Sequence, residues 1–299
     1  MSFQEYHKEN KGKPKRRSSG NSRGGPRRFS DNKFSSKGFS DRKSSGGRSF
    51  DRKPAARSSS FDKPKFDSNF KEQLIPIKFP NTFLDIRKRG LQLFTNNLNP
   101  GETYFDERVI HKNIEGKNLE LRNWEYRRSK LGAAIANKVS QLGIQEGSKV
   151  LYLGASHGFT PSFVSDMVGE NGFVFCLDFA PRVVRDLYLL CQKRKNMAPI
   201  IADANKPEDY EDLISEVDVI FMDIAQRDQV RIFLKNFKFL KKGGFGLLAL
   251  KARSIDVTRR PKHVFQEARE ELEKHIMIVD YKDLEPYEKD HCFFVCKKK

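Results

Sequence analysis

Cysteine and tryptophan are scarce in this chain: four Cys and one Trp among 299 residues. The thiols are Cys176, Cys191, Cys292 and Cys296, and no two form a C-x-x-C pair. That spacing favours reduced core thiols over a disulfide framework or a zinc site. Cys292 and Cys296, in "HCFFVC", share one face of a strand. No apolar run reaches the ~18 residues that a membrane-spanning helix needs. The opening "MSFQEYHKENKGKPKRR" has no apolar h-region, so no secretory signal is expected. Histidines show no metal-ligand spacing, and no metal is expected.

Acidic charge is also in short supply: 39 Asp and Glu face 57 Lys and Arg, leaving a net charge of +18. Most of that excess, +12, falls in residues 1–73, where 20 basic residues meet 8 acidic ones. Such a balance points to a polyanionic partner, nucleic acid before membrane. Aliphatic residues are almost absent from the same stretch, so it cannot bury enough surface to offset its chain entropy. Residues 1–73 are therefore expected to form a disordered tail. Phe39, Phe50 and Phe61 recur every eleven residues within "FSDRK", "FDRK" and "FDK". Cations with interleaved rings suit loose RNA binding through phosphate contact and base stacking.

Composition changes at Leu74. "IPIKF", "TFLDI" and "LQLFT" are short, β-prone runs separated by Pro, Asn, Lys and Gly, so 74–122 reads as a small β-rich subdomain. "SKLGAAIANKVSQLGI" then has helical spacing, with Ser129 placed to cap it. From there the pattern alternates. Strands are expected at 149–153, 173–177, 199–201, 217–222 and 245–250. Helices are expected near 160–167, 181–196, 207–214, 227–239 and 262–274, three of them opened by Pro181, Pro207 and Pro261. Residues 123–299 are thus an α/β domain with a mostly parallel, doubly wound sheet. Its last two β-runs have no helix between them and form a C-terminal antiparallel hairpin.

Ligands of such sheets sit beyond the carboxyl ends of the strands. Those ends carry, in order, Gly154, Asp178, Asp203 with Ala204, Asp223 and Lys251. The first turn is "GASHG", G-x-x-x-G, not the G-x-G-x-x-G of a dinucleotide fold. Ser156 stands where a pyrophosphate needs its second glycine. A ligand without phosphates fits better. S-adenosylmethionine needs only a tight turn and a ribose acceptor, here Asp178, and the terminal hairpin also favours a methyltransferase.

Longer blocks narrow the choice. "RSKLGAAI" (128–135), "GASHGFTPSFVSD" (154–166), "DANKPEDY" (203–210), "VDVIFMDIAQ" (217–226), "LKARSIDVT" (250–258) and "LEPYEKDH" (284–291) together resemble fibrillarin over about residues 74–299. "ARSIDVT" is nearest to the archaeal, fibrillarin-like branch. The resemblance implies a Rossmann-like class I methyltransferase fold. It also implies an S-adenosylmethionine-dependent RNA 2′-O-ribose methyltransferase, the catalytic subunit of a box C/D guide-RNA particle acting on rRNA and tRNA. Implied partners are the guide RNA, a Nop-family scaffold protein and a kink-turn-binding protein. The implied location is the cytoplasm in an archaeon or the nucleolus in a eukaryote.

Carried over residue by residue, the family's Lys-Asp-Lys-His set falls on Lys130, Asp223, Lys251 and His291. Cofactor positions fall on Gly154, Gly158, Phe159, Thr160, Asp178, Phe179, Asp203, Ala204, and Asp223, Ile224, Ala225 and Gln226. Two depart from the family's pattern: Phe159 replaces a hydroxyl residue, and Asp178 replaces Glu. A 2′-hydroxyl must lose its proton as the oxygen attacks the methyl carbon. A lysine can take that proton only from well below its usual ~10.4. Lys251 is the expected base, with Lys130, Asp223 and His291 setting its state and geometry. Arg253, Arg259, Arg260 and Lys262 lie just downstream and are expected to hold substrate phosphates. Two other readings stay open: a non-catalytic RNA-binding subunit with a relic pocket, and a nicotinamide oxidoreductase, which Ser156 disfavours.

Overall fold

The computed structural model describes residues 73–87 and 90–299. The expectations for 1–72 lie outside the described residues. Two sheets make up the described chain. The first is five-stranded and antiparallel, built from β1 (Gln73–Pro76), β2 (Thr82–Arg87), β3 (Gly90–Asn96), β4 (Val109–Ile114) and β5 (Lys117–Trp124) in the order β1-β2-β3-β5-β4. The small sheet thus runs to Trp124. A 3₁₀ turn at Tyr126–Arg128 then leads into α1 (Lys130–Ala136). Ser129 caps α1 as expected, its Oγ accepting from the Gly132 N–H at 3.1 Å. The helix is shorter than its apolar spacing predicts. Asn137 closes it and Lys138 enters the left-handed region at φ 59°, so Val139, Leu142 and Ile144 reach the core from a loop.

The second sheet is seven-stranded. Its strands are β6 (Lys149–Leu153), β7 (Phe173–Asp178), β8 (Met197–Ile201), β9 (Val217–Met222), β10 (Leu240–Lys251), β11 (Met277–Asp283) and β12 (His291–Lys297), ordered β11-β12-β10-β9-β6-β7-β8. β6 through β10 pair in parallel, and β12 lies antiparallel between β10 and β11. Helices α2 (Phe159–Val168), α3 (Pro181–Lys193), α4 (Gln229–Asn236), α5 (Ala252–Ile255) and α6 (Pro261–Glu273) supply the crossovers. One predicted helix is absent. Residues 207–214 form two 3₁₀ turns, Pro207–Asp209 and Glu211–Leu213. "PEDYEDLI" is too acidic to offer an apolar stripe; only Pro207, Tyr210 and Ile214 are buried.

The central strands are apolar on both faces because both faces are covered. Along β6, Val150 and Tyr152 face α1, α2 and the small sheet, while Leu151 and Leu153 face α4 and α6. Cys292 and Cys296 share the second face as free thiols, as their spacing predicts. The joint between the sheets is ionic. Asp166 on α2 accepts from Arg122 and Arg194 at 2.8 Å each, from Thr95 Oγ1 at 2.7 Å and from the Leu98 N–H at 3.1 Å. Glu107 adds a second carboxylate 2.7 Å from Arg122. The side chains of Arg122, Asp166 and Arg194 have no exposed surface. Two guanidiniums and two carboxylates thus neutralise one another in the interior.

Candidate active site at the carboxyl ends of the sheet

At the end of β6 the chain must turn against β9. Gly154 adopts φ +87°, and a Cβ there would stand 2.4 Å from the Asp223 carbonyl oxygen, so no other residue fits. The Gly154 and Ala155 N–H groups both donate to the Leu177 carbonyl. The Ser156 N–H donates to Asp178 Oδ2 at 2.9 Å, and the Ala180 N–H donates to Oδ1 at 3.0 Å. Asp178 is therefore fixed by backbone while keeping lone pairs for a ligand. A cavity of about 330 Å³ opens here, lined by Gly154, Ser156, Asp178, Ala204, Asp223 and the 224–226 segment. Phe179 also lines it and is 66 % exposed. A larger groove of about 610 Å³ between α4 and α6 contains none of these residues.

Four predicted cofactor residues shape the site from behind this cavity. Gly158 opens α2 in the left-handed region, where a Cβ would meet Leu190 at 2.4 Å. Thr160 is buried, and its Oγ1 donates to Ser129 Oγ at 3.0 Å, tying the loop to the cap of α1. The Phe159 ring turns into the joint between the sheets, edge-on to Phe105 at 5.4 Å and Phe163 at 5.2 Å, with the Arg128 guanidinium 4.4 Å from its centre. Its replacement of a hydroxyl thus serves packing. Asp203 Oδ1 accepts from the Asn205 N–H at 2.9 Å and stabilises its own turn.

Beside the cavity lies an ionisable cluster. Lys130 Nζ sits 3.0 Å from Asp223 Oδ1 and 3.1 Å from Oδ2. Burial alone would lower the Lys130 ammonium, but the Asp223 carboxylate outweighs it and holds Lys130 above the usual lysine value. Lys251 and His291 are direct partners across β10 and β12. Both backbone groups of Lys251 turn the other way, to the Gln229 carboxamide, at 3.0 and 3.1 Å. Lys251 and His291 are therefore a non-hydrogen-bonded pair, the kind whose side chains lie closer. His291 Nδ1 lies 2.6 Å from the Lys289 carbonyl, which assigns the proton to Nδ1. Its Nε2 is buried without a partner. Burial lowers the His291 pKa below the usual value, aided by Lys130 and opposed by the Lys289 bond, so the ring is neutral near pH 7.

Sequence reading missed Glu288. Burial raises its carboxyl above the usual value while Lys130 and Lys251 pull it down. It stands 4.0 Å from His291 Nδ1. It reaches the cluster because Tyr287 packs edge-on against Tyr126 at 4.7 Å and Asn137 donates to the Asp283 carbonyl at 3.0 Å. No periodicity marks a residue in an irregular turn. Of the expected phosphate contacts, Arg253 is bound to Asp290 at 3.1 Å and to the Val257 carbonyl at 2.7 Å. Arg259 pairs with Glu267, whereas Arg260 and Lys262 are exposed.

A family model described as Fibrillarin matches residues 76–299. The chain belongs to the fibrillarin family. It is 48 % identical over 223 residues to the fibrillarin-like rRNA/tRNA 2′-O-methyltransferase of Thermococcus onnurineus, covering 74 % of this chain and 97 % of that one. Among solved structures it resembles Aeropyrum pernix fibrillarin in complex with natively bound S-adenosyl-L-methionine. That match has 35 % identity and a TM-score of 0.66, over 76 % of this chain and 100 % of that one. It also resembles the fibrillarin of a fibrillarin/Nop5p complex, at 33 % identity and a TM-score of 0.61, over 70 % and 94 %. Family membership and the sheet order agree: the fold is the Rossmann-like methyltransferase sheet with a C-terminal antiparallel hairpin.

Proposed function

We propose that this protein is an S-adenosylmethionine-dependent RNA 2′-O-ribose methyltransferase. In this reading it is the catalytic subunit of a box C/D guide-RNA particle that modifies rRNA and tRNA. The observation that carries it is the convergence of Lys130, Asp223, Lys251 and His291 beside the 330 Å³ cavity at the strand ends. The cavity suits the cofactor. Asp178 keeps acceptor lone pairs for ribose hydroxyls, Phe179 offers a ring face, and the Gly154 turn permits close backbone approach. When bound, the cofactor supplies an electrophilic methyl group on a sulfonium, whose bond to sulfur breaks as the ribose oxygen bonds to carbon.

The chain's residues handle the proton and the charge. Asp223 complements positive charge at the cavity edge and fixes Lys130. Lys130 is thereby held as a cation and is unsuited to be the base. Lys251 takes the 2′-hydroxyl proton. His291, neutral and with Nε2 free, orients or relays that proton. Arg260 and Lys262 hold substrate phosphates. A Nop-family scaffold docks on the chain, and the guide RNA with a kink-turn protein completes the particle.

The test is reconstitution of the full chain with guide RNA, scaffold and kink-turn protein, following labelled methyl groups from S-adenosylmethionine to a target RNA. Transfer to the 2′-oxygen of the guided nucleotide is expected. Lys251→Ala should abolish it while cofactor binding persists. Cofactor binding without any transfer by the wild-type chain would favour the relic-pocket reading, and tight NAD binding instead would favour the oxidoreductase.

A further inference from the structure

The parallel ladder between β9 and β10 ends at Leu248 and Met222. β9 stops there, and β10 runs on to Lys251, past the last residue of β9. This parting of the strands opens the site. It also exposes the backbone of the residue whose side chain must be aimed most accurately. An unpaired strand end frays, and a displacement of about 1 Å at a reacting group can cost about 100-fold in rate.

One side chain fills the gap. Gln229, the first residue of α4, is fully buried. Its Oε1 accepts from the Lys251 N–H at 3.0 Å, and its Nε2 donates to the Lys251 carbonyl at 3.1 Å. Nε2 also donates to the Gln226 carbonyl at 2.8 Å. A carboxamide has the donor and acceptor of a peptide group, so it can stand in for the missing strand. Gln226 ends the segment that lines the cofactor cavity. One amide therefore bridges that segment and the backbone of Lys251.

We propose that Gln229 is a positioning residue that replaces the backbone ladder where β9 and β10 part, setting Lys251 against the 224–226 wall of the cavity. It acts through Lys251 and need not touch RNA. The inference rests on the methyltransferase reading for its kinetic arm and on geometry alone for its other arm.

Gln229→Met keeps length and apolar bulk but makes none of the three bonds. Gln229→Glu keeps the acceptor and sets a second carboxylate oxygen against two carbonyls. Asn196→Ala serves as a control, because Asn196 is buried, also makes three hydrogen bonds, and lies away from the cavity. In the full chain, hydrogen exchange at the Lys251 N–H should quicken roughly 2- to 10-fold in Gln229→Met, one bond's worth, and not in Asn196→Ala. In the reconstituted particle at saturating cofactor, both Gln229 variants should lose about 10- to 100-fold in kcat, with cofactor Kd raised by less than about tenfold. Asn196→Ala should keep its kcat at temperatures where it is folded. Unchanged kcat in Gln229→Met, or a loss no larger than that of the control, would overturn the proposal, as would unaltered exchange. An inactive wild-type particle would instead sink the methyltransferase reading, and the exchange arm would still decide the geometry.

Discussion

Replacing Asp166 by Asn tests what joins the two sheets. Asp166 accepts four hydrogen bonds, two of them from guanidiniums at 2.8 Å, and neither it nor Arg122 nor Arg194 has exposed side-chain surface. The substitution removes one of two carboxylates and leaves Glu107 alone against two guanidiniums. It also turns an amide donor toward groups that are themselves donors. Breaking a buried pair by removing one partner costs about 3–5 kcal/mol, because the other charge stays desolvated. In a folded unit of this size each kcal/mol moves the midpoint by about 2–4 °C, so a fall of about 6–20 °C is expected. Thermal unfolding of the full chain, followed by circular dichroism, reads it directly. Added salt should not close the gap, since a buried pair is screened far less than a surface one. Replacing Asp166 and Arg194 together by apolar residues should cost less than Asp166→Asn alone. A loss below about 1 kcal/mol, the range of an exposed ion pair, would refute the reasoning.

Three further outcomes are expected. Gly154→Ala should abolish cofactor binding by calorimetry and lower the unfolding midpoint, because a Cβ at φ +87° collides with the Asp223 carbonyl. His291 should make the fold acid-sensitive. Burial depresses its folded pKa, so the unfolded chain binds the proton more tightly, and stability falls as pH drops through the usual value near 6.5 toward the lower folded one. Lys130, Asp223, Lys251 and Glu288 all face that ring, and His291→Gln should reduce the midpoint loss between pH 7.5 and pH 5. Deleting residues 1–72 should leave the unfolding midpoint unchanged and weaken RNA binding most at low salt. A large midpoint shift would overturn the disordered-tail expectation.

Much of this protein was legible in one dimension because its signals are local. Pro181 and Pro261 start α3 and α6, and Ser129 caps α1. Apolar runs of strand length placed β6 and β9 to the residue. Gly154 announced a turn because only a residue without a Cβ survives there. The series Gly154, Asp178, Ala204, Asp223 could be read once the alternation implied a parallel sheet, since that topology gathers strand ends at one edge. Phe159 and Thr160 show the limit. Sequence aligned them with cofactor positions, and packing turned one ring into the joint and one hydroxyl toward Ser129.

What sequence alone determined was element type, chain order and the chemical kinds present at each strand end, because propensity, capping and periodicity act over a few residues. What only tertiary structure decided was who faces whom. Lys251 meets His291 by the register of β12 against β10, 40 residues apart in the chain. Lys130 meets Asp223 across 93 residues, and the field of that carboxylate holds Lys130 as a cation. Gln229 and Glu288 carry no signal in the sequence, because a buried carboxamide or carboxyl acquires its role only from the groups that folding brings within hydrogen-bonding or Coulombic reach.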